Sequence, residues 1–183
     1  MHDEAWEQLE SLLSGHSSLS EDWQSIILYL FPNNQDSQNK YLAIDTTIDK
    51  QEIKEWMIAT MKAFTIPEGT VAVKIGIFNA TYQDKEISVL SITGYNQDIS
   101  NTTDDVESLI YEPENRYFVP DGLNTLRTIL QSEEDNSDFL LWILPICYIA
   151  ILLRSIISEN NELPAHLKIV CGYSDGDYIE IPH

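Results

Sequence analysis

Hydrophobic side chains recur along this chain with two periods, and the places where one period gives way to the other sketch the fold. Trp6, Leu9, Leu12 and Leu13 lie three and four residues apart, the spacing of one helix face, and Gly15 ends the run. A second helical stripe, Trp23, Ile26, Ile27, Leu30 and Phe31, follows Ser20, a residue type that caps helix starts, and stops at Pro32. Residues 1–32 therefore read as a helical unit at the front of one 183-residue domain. The polar stretch 33–39 reads as a loop and residues 41–45 as a short strand. Asp49 and Glu52 have capping-box spacing, with Ile48 and Ile53 set as a hydrophobic staple, so a helix is expected to start there. Ile53, Trp56, Met57, Met61 and Phe64 form its core stripe, and Pro67 and Gly69 close it.

From residue 70 the period becomes two. Val71, Val73, Ile75 and Ile77 alternate with Ala72, Lys74, Gly76 and Phe78, and residues 86–95 follow as a second strand, giving an antiparallel pair that turns near Asp84. Val106, Leu109 and Ile110 suggest a short helix after Thr103. Residues 116–119 read as a short strand, and Leu123, Leu126, Ile129 and Leu130 as another helix. Residues 139–153 carry no charge. A membrane span needs about 18 apolar residues or more, so this run is expected to be a core helix, kinked or restarted at Pro145, with Leu141 and Ile149 buried. Residues 167–173 and 178–181 flank Ser174-Asp175-Gly176-Asp177, where Asp-Gly signals a tight hairpin turn. The class is α+β: a mainly antiparallel sheet with a C-terminal β-hairpin, packed against several helices, including the apolar one near 138–158.

Charge changes the picture more than composition does. Thirty Asp and Glu face ten Lys and Arg, a formal net charge of -20. Such a chain repels nucleic acid, whose phosphates are met by Lys and Arg, and attracts basic proteins. The acids are unevenly spread. Residues 1–39 hold seven acids and no Lys or Arg, residues 98–114 hold six acids and one later base follows at Arg116, and Glu133, Glu134, Asp135 and Asp138 form another cluster. Six of the ten bases fall between Lys40 and Lys85. The acidic start, Met1-His2-Asp3-Glu4, does not resemble a secretory signal, so a cytoplasmic site of action is expected, with no membrane partner.

Chemistry is sparse by comparison. Cys147 lies in the apolar run and Cys171 in a strand, positions that suit buried inert thiols. His166 borders the sheet, but Cys171 is five residues away, on the opposite face of any strand spanning both. Asp175 and Asp177 bracket a turn glycine without the further oxygen ligands of a calcium loop. Phosphate-binding, dinucleotide-binding, zinc-protease and nucleophile-elbow motifs do not occur. The expectation is a binding protein rather than an enzyme, without metal or cofactor; an unrecognised carboxylate-based active site is the enzymatic alternative. The unbroken acidic stretch is the expected contact for a basic protein partner, through Asp98, Asp104, Asp105, Glu107, Tyr111, Glu112 and Glu114, with Tyr111 contributing an aromatic of the kind enriched at interfaces.

The last quarter, an apolar helix followed by a polar loop and then Gly172-Tyr173-Ser174-Asp175-Gly176-Asp177 in a hairpin, resembles the C-terminal ends of some small bacterial immunity proteins. That resemblance implies neutralisation of a cognate toxin domain, for example a nuclease, by protein–protein binding. A DNA mimic, and an adaptor or chaperone for a basic partner, carry the same surface requirement.

Overall fold

The longest regular feature of the computed structural model is a β-hairpin, β1 (Ala72–Tyr82) and β2 (Lys85–Tyr95), paired antiparallel from Ala72↔Tyr95 to Tyr82↔Lys85. Its two-residue turn, Gln83-Asp84, has φ of 49° and 61°. Both residues being left-handed is what matches a two-residue turn to the strands' right-handed twist. The structure describes residues 2–99, 108–132, 138–159, 166–173 and 178–183. Four helices precede the hairpin: α1 (His2–Leu13), α2 (Leu19–Leu30), α3 (Gln35–Leu42) and α4 (Thr46–Ala63). After it come β3 (Leu109–Tyr111), β4 (Tyr117–Phe118), α5 (Asp121–Ser132), α6 (Asp138–Glu159), β5 (Lys168–Tyr173) and β6 (Tyr178–Ile181). The sheet runs β3-β2-β1-β5-β6, with β4 also on β2, and four of its five pairings are antiparallel; β1 and β5 are the parallel pair. The fold is α+β.

The alternation in β1 sends Val73, Ile75 and Ile77 into the main core, where they meet Ile92, Ile169, Cys171 and the helices. Ala72 on the opposite face joins Tyr95, Ile99 and Val170 in a smaller cluster. Both faces of β1 are therefore covered from Ala72 to Ile77, whereas Val71 just before the strand and Asn79, Thr81 and Tyr82 near the turn are exposed. Residues of α1 and α2, among them Leu9, Trp23, Ile26 and Ile27, lie in the same main core as α6 and the sheet.

Helix α6 is the hub of that core. Every residue from Ile143 to Ile157 is buried. It is long and apolar enough to cross a membrane by length and composition, yet most of its span is buried inside the protein. Among the described residues it is the only helix of that kind. It runs unbroken through Pro145 rather than restarting there. Proline lacks the N–H that would bond the carbonyl of residue 141. The Tyr173 hydroxyl on β5 donates to that carbonyl instead, at 3.0 Å. Leu141 itself is 37% exposed, so it is not the core residue its neighbours led us to expect.

Four local expectations are corrected by the structure. The stretch 33–45 is not loop and strand but α3 with its flanks: Asn34 caps it by accepting from Ser37 N–H at 3.0 Å, and Gln38 donates to the Phe31 carbonyl at 2.6 Å. Tyr41 is fully buried there, its ring stacked on Phe31 and its carbonyl accepting the Trp23 indole N–H at 3.1 Å, so packing overrides the strand propensity of its neighbours. Helix α2 is capped by Ser18, in a capping box with Glu21, rather than by Ser20, and that bonding lowers the Glu21 carboxyl below its ordinary range. Helix α4 starts three residues before Asp49, at Thr46, because Asp45 accepts from Thr47 N–H; Ile48 is 53% exposed and staples nothing. Finally, Leu109 and Ile110 form strand β3 on β2, not a helix; Val106 lies outside the described residues.

Candidate functional site

Successive residues of an α-helix turn by about 100°, and α4 uses that rotation to present three different faces. Asp49, Ile53, Met57 and Thr60 form the buried one. Thr47, Lys50, Gln51 and Lys54 share a second, and Glu52, Glu55, Trp56 and Ala59 a third. The third face forms a concavity of about 560 Å³ with Phe118, Val119 and Asp121 from β4 and the start of α5. The Trp56 and Phe118 rings stack with centroids 5.5 Å apart, and the Trp56 indole N–H donates to the Asn115 carbonyl at 3.1 Å. Val119 is 46% exposed beside them. Glu52, Glu55 and Asp121 are exposed, and none has a Lys or Arg within ion-pair distance among the described residues; Glu55 accepts one bond from Gln51 at 2.6 Å. Three carboxylates around an aromatic floor suit an ammonium or guanidinium head, attracted by charge and by the ring face, with its methylene stem on Val119 and Phe118.

What joins α4 to α5 is a buried carboxylate. Asp49, 1% exposed, accepts from the N–H groups of Gly122 (2.9 Å) and Leu123 (3.1 Å) and from the Tyr148 hydroxyl of α6 (3.1 Å). It is a helix cap, as its residue type suggests, but it caps α5 rather than its own helix. Burial and the Asp49 charge hold the Tyr148 phenol above its ordinary pKa. The approach is so close that a Cβ at residue 122 would fall 2.8 Å from Asp49 Oδ2 and against the Tyr148 hydroxyl, so glycine is required there.

The residues expected to make the partner contact are distributed differently from one continuous patch. Asp98 is exposed but lies 2.6 Å from Lys168, which also reaches Glu180 at 3.2 Å; these carboxylates raise the lysine's pKa. Glu112 is exposed and 3.6 Å from Arg116. Glu114 is exposed and adjacent to Asn115, whose carbonyl accepts the Trp56 indole N–H, but it does not line the concavity. Tyr111 is 5% exposed and its hydroxyl donates to the Phe64 carbonyl at 2.8 Å. It ties β3 to the end of α4 instead of offering an aromatic surface, and burial raises its pKa. Asp104, Asp105 and Glu107 lie outside the described residues. The concavity is hidden in the sequence because Trp56 also fits the core stripe of its helix and Glu52 a capping position. The signal was present in the i, i+3, i+4 spacing of Glu52, Glu55 and Trp56.

Both cysteine thiols are fully buried, and burial raises their pKa, so neither is poised as a nucleophile. His166 is exposed while Cys171 faces the core. Among the described residues no group of three His, Cys, Asp or Glu side chains is placed to hold a metal ion. Asp175 and Asp177 lie outside those residues. No protein-family model, curated protein or solved structure matches the chain.

Proposed function

We propose that this protein acts by binding rather than by catalysis, and that it holds a basic protein partner in the way an immunity protein neutralises a toxin domain. The observation that carries the reading is the concavity at Trp56, where Glu52, Glu55 and Asp121 stand around an aromatic floor without basic counter-charges among the described residues. A net charge of -20 adds long-range steering of a cationic partner, and the immunity role is the form of inhibition that the C-terminal resemblance implies. Each exposed carboxylate contributes below about 1 kcal/mol in water, so the carboxylates set the encounter rate while the aromatic floor sets the lifetime of the complex.

The test is to cross-link the protein in its source cells, identify the partner, and follow association of the two purified proteins by stopped flow. The partner is expected to be basic and association to slow steeply with ionic strength. Reversing Glu52, Glu55 and Asp121 to Lys should lower the on-rate, and Trp56→Ala should raise the off-rate. A partner whose binding is indifferent to salt, to those reversals and to Lys at Asp104, Asp105 and Glu107 overturns the reading.

A further inference from the structure

The second face of α4 opens on a cavity of opposite character. It has a volume of about 710 Å³ and lies between the α1–α2 turn, the first turns of α4 and the last turns of α6. Lys50, Lys54 and Arg154 line it against a single acid, Glu159, which reverses the ratio of three acids to one base in the whole chain. We propose that this cavity is a binding site for a small organic anion of the phosphate-monoester class. It lies on a different face of α4 from the Trp56 concavity and does not rest on the partner reading.

Two groups in it lack partners that the rest of the protein supplies elsewhere. Lys54 has no carboxylate within ion-pair distance among the described residues, although acids are abundant; the one acid in the lining, Glu159, is held by Lys50 at 2.6 Å. Ser155 is 6% exposed and lines the cavity, and its hydroxyl has no hydrogen-bond partner among the described residues. That hydroxyl opens onto the cavity rather than being sealed in the core, so it is free to bond a ligand that enters. The wall around these groups is fixed. Arg154, 8% exposed, donates to the carbonyls of Gly15 (2.7 Å) and Ser17 (2.6 Å) and pairs with the fully buried Asp22, which clamps the α1–α2 turn to α6. Its Nε is buried without a partner.

The starts of α2 and α4 border the cavity and bring the positive ends of their dipoles, but each is already capped from within the chain: Ser18 accepts from Glu21 N–H and Asp45 from Thr47 N–H. The end of α6 opposes them. The lysine and the serine hydroxyl therefore carry the recognition, and the helix ends do not. A phosphate offers three acceptor oxygens and close to two charges, enough to engage an ammonium and a hydroxyl together. The surplus of distant acids does not forbid it, because charges beyond about 8 Å are largely screened at physiological salt. The volume falls within the roughly 300–1,000 Å³ typical of small-molecule sites and far exceeds a bare ion, and Leu13, Leu19 and Pro182 add apolar wall for an organic body.

The experiment is calorimetric titration and thermal unfolding of the full chain with AMP, glucose 6-phosphate, inorganic phosphate, adenosine and citrate. At least one of the two monoesters is expected to bind saturably, one per chain, more tightly than inorganic phosphate or citrate, and adenosine not at all. Lys54→Gln should abolish the ligand-induced rise in Tm. Ser155→Ala should weaken binding several-fold while leaving the unliganded protein about as stable as wild type, since the hydroxyl bonds no described group of the protein; a merely structural serine would show the reverse. No saturable binding of either monoester at millimolar concentration, tighter binding of citrate or inorganic phosphate, or monoester binding unmoved by Lys54→Gln each overturns the proposal.

Discussion

Removing the Asp49 carboxylate should be among the most damaging single changes in this protein that touch no hydrophobic group. Three donors converge on it from two other helices at 2.9, 3.1 and 3.1 Å, and the side chain is almost fully buried. Hydrogen bonds to a charged group contribute about 1.5–3 kcal/mol each, but their deletions are not additive, because the N–H groups that open α5 can recover water once the carboxylate has gone. Asp49→Ala is therefore expected to cost about 3–5 kcal/mol, the range for breaking a buried charged network. Asp49→Asn keeps the shape and one acceptor but turns an amide toward a donor, and should cost about 1–3 kcal/mol. Tyr148→Phe leaves both backbone donors satisfied and should cost least, about 1 kcal/mol. Urea unfolding would read these as shifts in midpoint at constant slope. If Asp49→Ala lies within about 1 kcal/mol of wild type, or Tyr148→Phe costs more than Asp49→Ala, the carboxylate is not the brace between α4, α5 and α6.

Two further outcomes test α6. Tyr173→Phe orphans the Leu141 carbonyl and should cost about 0.5–1.5 kcal/mol, whereas in a Pro145→Ala background, where residue 145 regains its N–H, the same change should cost much less; additivity across that double-mutant cycle would refute the assignment. Ile149→Ala should cost about 2–5 kcal/mol and Leu141→Ala only about 0.5 kcal/mol, since the first side chain is fully buried and the second is 37% exposed; equal shifts in chemical denaturation would contradict that burial.

The elements legible in the sequence were those in which local period and tertiary demand agree. The β1–β2 hairpin, α5 and the β5–β6 pair have clean alternation or clean helical spacing, and the structure has them where those patterns fall. The failures share a cause: a residue used by a distant element rather than by its own. Asp49 has the chemistry of a cap and the position of one, but Asp45 already serves α4, so Asp49 serves α5, whose start lies more than seventy residues away. Tyr41 carries β propensity but is claimed by Phe31 and Trp23. Tyr111 looks like an interface aromatic until the Phe64 carbonyl is found against its hydroxyl. The parallel β1–β5 pairing is likewise invisible to any local pattern, because three strands and two helices lie between its partners in the chain.

The two charged faces of α4 follow from how the scarce bases are spent. Lys50 with Glu159, Arg127 with Glu86, Arg154 with Asp22 and Lys168 with Asp98 each tie elements far apart in sequence. Only the buried Arg154–Asp22 pair is shielded enough to matter greatly if broken; the exposed ones are worth little individually. Using bases as ties leaves the acid surplus uncompensated at whatever surface the ties do not reach, and the face bearing Glu52, Glu55 and Asp121 is such a surface. About a third of a turn around the same helix, Lys54 is a base not spent on a tie among the described residues. Solubility alone would explain scattered acids, but it gives no reason for Trp56 and Phe118 to stack inside an acidic rim, nor for a lysine and a serine with no partner among the described residues to line one cavity. It is on these two arrangements that the proposed partner contact and the proposed anion site rest.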